Sequence, residues 1–232
     1  MTVPAFFVTA TGTDIGKTFV TSGLVRRLRA KGVGATALKP VVSGIDLEES
    51  VSLAASDPAQ LLAAMGRPVT PAEVARISPH RYAAALSPDM AAAREGRPLD
   101  VDGMVEWCRE KVAFAAAPLF VEGVGGVLVP LDDSRTVLDW MVALDLPLVL
   151  VTGSYLGTLS HTLTAVDVLA RRGLRIAAIA VSETPGATVP MAETLATLAR
   201  FVPGVPLLPV PRVARADEAD AAFDALLAAL GL

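Results

Sequence analysis

Lys17, Thr18, Lys39, Asp57 and Glu122 are the side chains of this sequence whose types and settings suit chemistry on a polyphosphate. The first two close the run Phe6-Phe7-Val8-Thr9-Ala10-Thr11-Gly12-Thr13-Asp14-Ile15-Gly16-Lys17-Thr18, an apolar strand followed by a glycine-bearing turn and the start of an amphipathic helix. Such a turn aims successive backbone N–H groups and a helix N-terminus at one point, which favours phosphate. Lys17 then reaches the outer phosphates and the Thr18 hydroxyl completes a magnesium shell. The spacing departs from G-x-x-x-x-G-K-[ST]: Thr11 stands where that pattern has its first glycine. Strand–turn–helix context with Gly16-Lys17-Thr18 therefore carries the assignment, against an ordinary turn bearing a solvated lysine.

Further polar residues follow strand-like runs. Pro40 biases Lys39 to an extended conformation, placing an ammonium at a strand end where it could stabilise a transferring phosphoryl group; the alternative is an exposed lysine. Ser43-Gly44 reads as a turn. Asp57, before Pro58, is either a helix N-cap or a carboxylate facing magnesium, which favours a couple of carboxylates plus substrate oxygens and waters. Glu122 ends an apolar run and precedes Gly123-Val124-Gly125-Gly126, where burial would require a cation or donors. Thr152–Ser160 leads into a helix whose N-terminus could hold a second anion, or whose Thr158 or Ser160 simply caps it. Asp132 and Asp133 read as turn and cap residues. His161 reads as a helix-packing histidine and His80 as a loop one. Trp107, Cys108, Trp140 and the methionines read as core.

The elements that must position these groups alternate. Strands are expected at Ala5–Thr9, Gly34–Leu38, Leu119–Glu122, Leu148–Thr152, Ile176–Ser182 and Val205–Val210, near-continuously apolar as in parallel strands covered on both faces. The first helix carries Val20, Leu24, Val25 and Leu28 on one stripe; others are expected at Pro58–Met65, Val101–Ala115, Thr136–Ala143, Thr158–Arg172, Pro190–Arg200 and Asp217–Leu230. The fold class implied is α/β, a doubly wound and mostly parallel three-layer sheet, with residues 1–232 as a single domain. Arg67–Pro98, rich in Pro and Ala, is a lid, a substrate-contacting excursion or a long surface crossover. The alanine-rich C-terminal helix reads as core packing.

Composition narrows the function. A chain of 232 residues, 53% hydrophobic, can bury a full core. A net charge of −4 and few aromatic residues argue against nucleic-acid binding. One cysteine excludes an internal disulfide and suits a reducing compartment. Met1-Thr2-Val3-Pro4 runs straight toward a strand without a basic leader, and no apolar run reaches the ~18 residues of a membrane span. The expectation is a cytoplasmic protein.

Taken together, these motifs resemble the dethiobiotin synthetase family. The resemblance covers nearly the whole chain: the phosphate loop, Lys39-Pro40 with Ser43-Gly44, Ser56-Asp57, Ser87-Pro88, Glu95-Gly96-Arg97-Pro98, Val121-Glu122-Gly123 with Gly125-Gly126, and Leu156-Gly157 with His161. It implies that diaminopelargonate, carbon dioxide and ATP are substrates, that Mg2+ is the cofactor, and that the chain forms a homodimer. By resemblance, Gly16, Lys17 and Thr18 hold the ATP phosphates, and Thr18, Asp57 and Glu122 hold the metal. Thr13 and Lys39 contact carbamate and transferred phosphate, with Lys17 sharing the catalytic work, and Ser43 contacts substrate. Asp14, Ile15, Phe19, Gly123, Val124 and Gly125 complete the nucleotide-phosphate side; Ser182, Glu183, Pro211, Arg212 and Val213 fall on the base side. Leu156, Gly157, Thr158 and Ser160 meet the substrate's carboxylate tail across the dimer. Ala10 stands where the family usually has its first loop glycine, and Ser160 where it often has Asn before His161; Ser182 stands where an Asn commonly reads the adenine ring, which leaves base preference open. A nucleotide-sensing module or a switch ATPase of the same fold is the competing expectation, although this loop lacks the early lysine of partition ATPases.

Overall fold

The computed structural model describes residues 3–232; the expected lead-in through Met1 and Thr2 lies outside the described residues. In chain order the elements begin β1 (Ala5–Ala10), α1 (Lys17–Ala30), β2 (Thr36–Leu38), β3 (Val41–Ser43), α2 (Ser50–Ala55), α3 (Asp57–Ala64) and α4 (Pro71–Ile77). Next come β4 (His80–Tyr82), α5 (Pro88–Glu95), α6 (Val101–Ala113), β5 (Leu119–Glu122), α7 (Val137–Leu144) and β6 (Leu148–Gly153). The chain finishes with α8 (Thr158–Arg171), β7 (Ile176–Ser182), α9 (Met191–Phe201), β8 (Leu207–Val210) and α10 (Asp220–Leu230).

The main sheet has order β2-β5-β1-β6-β7-β8, with every neighbouring pair parallel. Its strands are apolar on both faces because helices cover both; β1 and β6 are buried at every position. The strand order reverses about β1, between β5 and β6. In such sheets the crevice beyond the carboxyl ends at that reversal is where ligands bind. One register, Leu38↔Val121, shapes that crevice directly, since the next residues are Lys39, just past β2, and Glu122, the last residue of β5.

Residues 67–98, expected as a lid, a substrate-contacting excursion or a long surface crossover, carry α4, β4 and α5, and Ala85, Leu86, Ser87 and Pro88 among them line a cavity. Val74, Ile77, Tyr82, Ala91 and Ala92 are buried there. β3 and β4 form a separate parallel pair with register Val42↔Arg81, so His80 lies on a strand rather than in a loop. Ser56, not Asp57, caps α3: its hydroxyl accepts the Ala59 N–H, and Asp57 begins the helix. Cys108, Trp140, Met104 and Met141 are core; Trp107 is only half-buried and Met90 is exposed.

α10 is a packing helix, as its composition suggests. Phe223, Leu226 and Leu227 are buried, and the Phe223 ring lies 5.5 Å from that of Phe19 on α1. The close approach requires Gly23, where a Cβ would overlap the Phe223 ring. A charged lattice closes the outer side of the same pair of helices. Arg27 Nε and Lys31 Nζ donate to Asp224 Oδ1 at 2.8 and 2.7 Å, and Arg26 Nη2 donates to Asp220 at 2.6 Å. Hydrogen bonds from Arg27 and Lys31 hold the Asp224 carboxyl far below its ordinary 3.8.

Gly23→Ala is expected to cost about 1–3 kcal/mol of stability through overpacking, read as a lower urea midpoint. Because the folded pKa of Asp224 is depressed, its contribution is full above the ordinary 3.8 and is lost as pH falls below that value toward the folded one. Asp224→Asn should therefore weaken the protein at pH 7 and make little difference in strong acid, in paired urea titrations.

Candidate active site

Four strand ends meet at the crevice. The loop after β1 crosses it and enters α1 through Gly16, whose φ of 105° is left-handed and so favours glycine. A second glycine, Gly126, lets the loop after β5 lie against it; a Cβ there would be 3.3 Å from Gly12 Cα and the Thr11 carbonyl oxygen. The first-turn amides of α1 thus face a space bounded by the loops after β1, β2 and β5.

Lys17 is buried in that space. Its ammonium donates to the carbonyl of Gly125 at 2.8 Å and of Gly12 at 3.4 Å. Burial, then the nearby Lys39 charge, brings its pKa down to about 8, with Glu122, Asp57 and Asp14 opposing. An arriving anion would favour the charged form and raise that pKa again. Lys39 is 2% exposed and has more complete pairing. Its ammonium donates to Glu122 Oε1 at 2.7 Å, Asp57 Oδ2 at 2.8 Å and the Gly123 carbonyl at 3.1 Å. Burial disfavours the Lys39 charge, but Glu122 and Asp57 outweigh it and raise its pKa above the usual value. The same balance works in reverse on Asp57, where burial is overcome chiefly by Lys39 and the carboxyl pKa is lowered.

Thr18 joins the cluster by donating to Glu122 Oε1 at 2.7 Å. Glu122 is fully buried and its other oxygen, Oε2, has no hydrogen-bond partner. An orphaned buried carboxylate oxygen beside a hydroxyl and a second carboxylate fits a hard cation. Among the described residues no group of three or more His, Cys, Asp and Glu side chains could hold a metal. The Thr18, Asp57 and Glu122 oxygens could hold magnesium, which takes few carboxylates and leaves room for phosphate oxygens and water.

Two cavities flank the phosphate loop, and the cluster lines the larger of them. One, of about 770 Å³, is lined by Lys17, Thr18, Lys39, Asp57 and Val124, with Ser43 and Ser87 on its far wall. The other, of about 590 Å³, is bounded by Phe19, Ser182, Glu183, Pro211, Arg212 and Val213, with Ile15 on the loop side. Thr13, Asp14, Gly16 and Phe19 border both. Ser182 lies against the loop, since a Cβ on Gly16 would be 2.9 Å from its hydroxyl. Glu183 Oε2 accepts the Arg212 N–H at 2.9 Å and joins the loops after β7 and β8.

Leu156, Gly157, Thr158 and Ser160 stand apart. They line neither cavity of their own chain. Leu156 is 78% exposed, whereas Thr158 is buried with its hydroxyl donating to the Gly153 carbonyl at 2.7 Å. His161, expected to pack a helix, is exposed; its Nδ1 lies 2.8 Å from the Tyr155 hydroxyl, and both rings border the smaller cavity. Tyr155 and Thr184, which line that cavity too, escape sequence reasoning because neither belongs to a recognisable motif. Their only signal is position past a strand end.

Against known proteins, residues 4–218 match an AAA domain family. The chain is 49% identical to the ATP-dependent dethiobiotin synthetase BioD of Methylobacterium nodulans, covering 84% of this chain and 87% of that one. It is 49% identical to the protein of the same name from Acidiphilium cryptum, over 84% and 86% of the respective chains. Among solved structures, the cell division ATPase MinD of Pyrococcus furiosus aligns with a TM-score of 0.58 at 14% identity, covering 98% of this chain and all of that one. A ParA family ATPase of Chlorobium tepidum aligns at 0.53 and 13%, covering 97% and 92%. Those two support the phosphate-loop α/β fold alone. Identity near one half over most of both chains goes further: this chain belongs to the dethiobiotin synthetase family.

Proposed function

We propose that the crevice performs the reaction of its family, the ATP-dependent closure of 7,8-diaminopelargonate and carbon dioxide into dethiobiotin. The observation that carries this reading is the convergence of Lys17, Lys39, Thr18 and Asp57 on one cavity, with buried Glu122 behind them and a second cavity across the phosphate loop. In the proposed assignment the larger cavity takes the diamine. The smaller one takes the nucleoside, with Phe19, Ser182, Glu183, Pro211, Arg212 and Val213 around it. The triphosphate crosses between them over the Gly12–Thr18 loop, against Gly123, Val124 and Gly125.

The chemistry needs little covalent help from the chain. One amine of the substrate attacks carbon dioxide and loses a proton, giving a carbamate. A carbamate oxygen then takes the γ-phosphoryl group as its bond to ADP breaks. The second amine attacks the carbamoyl carbon, phosphate leaves, and a proton is released as the ring closes. Phosphoryl transfer depends mainly on positioning and charge stabilisation. Lys39, poised beside the larger cavity, would hold the carbamate and follow the charge onto the transferred group. Thr13, bordering both cavities, would fix the carbamate near the γ-phosphate. Lys17 would give up its carbonyl partners for phosphate oxygens, and the α1 amides would hold the rest. Magnesium, bound by Thr18, Asp57 and Glu122, would neutralise phosphate charge.

Ser43 and Ser87 would line the diamine. The substrate's carboxylate tail would be met by Leu156, Gly157, Thr158 and Ser160 from a second copy of the chain, consistent with their lining neither cavity of their own. A homodimer is thus part of the proposal, as are a single domain and a cytoplasmic setting. Among the described residues no helix is long and apolar enough to cross a membrane.

Lys39→Met should lower kcat by about 10²–10³, the usual loss for one preorganised donor to developing charge. Thermal unfolding measured in parallel reports whether the buried Glu122 left without its partner has destabilised the fold. Near-normal turnover in a folded variant would remove Lys39 from the mechanism. For the reaction itself, labelled bicarbonate should enter dethiobiotin only with diamine, magnesium and a nucleoside triphosphate together. Phosphate release indifferent to the diamine would point instead to a switch ATPase.

A further inference from the structure

Glu95 and Arg97 take no part in the proposed chemistry, yet they are tied to the wall of the larger cavity. Gly96 ends α5 in the left-handed region, at φ 60°, so the chain reverses and both side chains turn back toward the segment preceding that helix. Glu95 Oε1 accepts the N–H groups of Ala83 at 2.7 Å and Ala84 at 3.1 Å. Its Oε2 accepts from Arg97 Nη1 at 3.1 Å. Arg97 Nη2 donates to the Arg81 carbonyl at 2.9 Å, and its guanidinium lies over the Tyr82 ring at 5.3 Å.

The segment held in this way is residues 83–87. Ala85, Leu86 and Ser87 line the same cavity as Lys39. The clasp reaches the neighbouring wall as well: the Ala84 carbonyl accepts the Gly44 N–H at 3.1 Å, and the Ser43 hydroxyl donates to the Leu86 carbonyl at 2.6 Å. Glu95 thus supplies one acceptor to two successive amides beside the site. Its side chain is 19% exposed and that of Arg97 59%, so neither belongs to the core. A charged group accepting adjacent backbone N–H groups fixes a loop more firmly than neutral bonds do.

We propose that Glu95, oriented by Arg97, is a positioning residue for diamine recognition: it fixes residues 83–87, and through them Ser43 and Ser87, at the separation from Lys39 that the substrate needs. This rests on the larger cavity being the diamine site. Loss of the clasp would loosen that wall while leaving the nucleotide side, which lies across the phosphate loop, as it was.

The test combines steady-state kinetics with amide hydrogen exchange on the full-length chain. Glu95→Ala should raise the KM for diaminopelargonate about tenfold or more with the KM for ATP unchanged, a loss of substrate binding rather than of transition-state charge stabilisation. Exchange at Ala83 and Ala84 should quicken. Glu95→Gln keeps an acceptor oxygen and should recover most of the loss. Arg97→Ala should give a weaker effect in the same direction. An unchanged diamine KM alongside faster exchange would overturn the proposal, leaving the clasp a local staple. So would a fall in kcat with both KM values unchanged, or unaltered exchange. A wild-type enzyme that made no dethiobiotin would instead sink the functional reading, while the exchange data would still decide the clasp.

Discussion

Lys39 and Glu122 sit at the edge of the core, where neither charge could be held alone. Removing a single carboxylate or ammonium from water costs several kcal/mol even after relaxation, and these two are almost wholly buried. They are tolerable together because β2 lies beside β5 in parallel with Leu38 opposite Val121, so the following residues, Lys39 and Glu122, pair at 2.7 Å. Much of the rest answers to that pair. Asp57 completes the charge balance from the start of α3, Thr18 donates from the start of α1, and the Gly123 carbonyl takes the remaining ammonium hydrogen.

A buried ion pair of this kind is poor evidence for stability and better evidence for work. The ligand-free site keeps its cations by internal acceptors: Lys17 on two carbonyls, Lys39 on two carboxylates and a third carbonyl. In the proposed reaction, phosphate oxygens would take the place of the carbonyls that now hold Lys17. The site is therefore preorganised without being collapsed. What holds it open is backbone, through the left-handed Gly16 and the close approach of Gly126 to the loop.

Much of the α/β order is legible because parallel strands covered on both faces read as continuous apolar runs, and each long helix carries a periodic stripe. Boundaries move by a residue or so, as helix ends do; Val205 and Pro206 fall before β8, and the last helix opens with a 3₁₀ turn at Ala216–Ala219. The stretch 67–98 misleads for a different reason. β3 and β4 are three residues each, too short for a period to emerge, and α4 and α5 each begin at a proline that reads equally as a break. His161 reads wrongly as a packing residue because helical spacing says nothing of a tyrosine lying opposite.

What the sequence determined by itself was the chemistry available: a phosphate loop recognisable by its setting despite Thr11, a lysine and a glutamate at strand ends, an acidic residue opening a helix, and ordered motifs specific enough to point to one family. What only the tertiary structure decided was proximity. Nothing in the local run of residues around 39, 57 or 122 fixes which strands are neighbours, because strand order depends on which helices cover which face of the sheet. The same holds for Glu95, whose meaning comes from a chain reversal at Gly96 that brings it back onto amides already passed. Side-chain type is written residue by residue, whereas electrostatic coupling falls with distance, and distance is set by the whole fold.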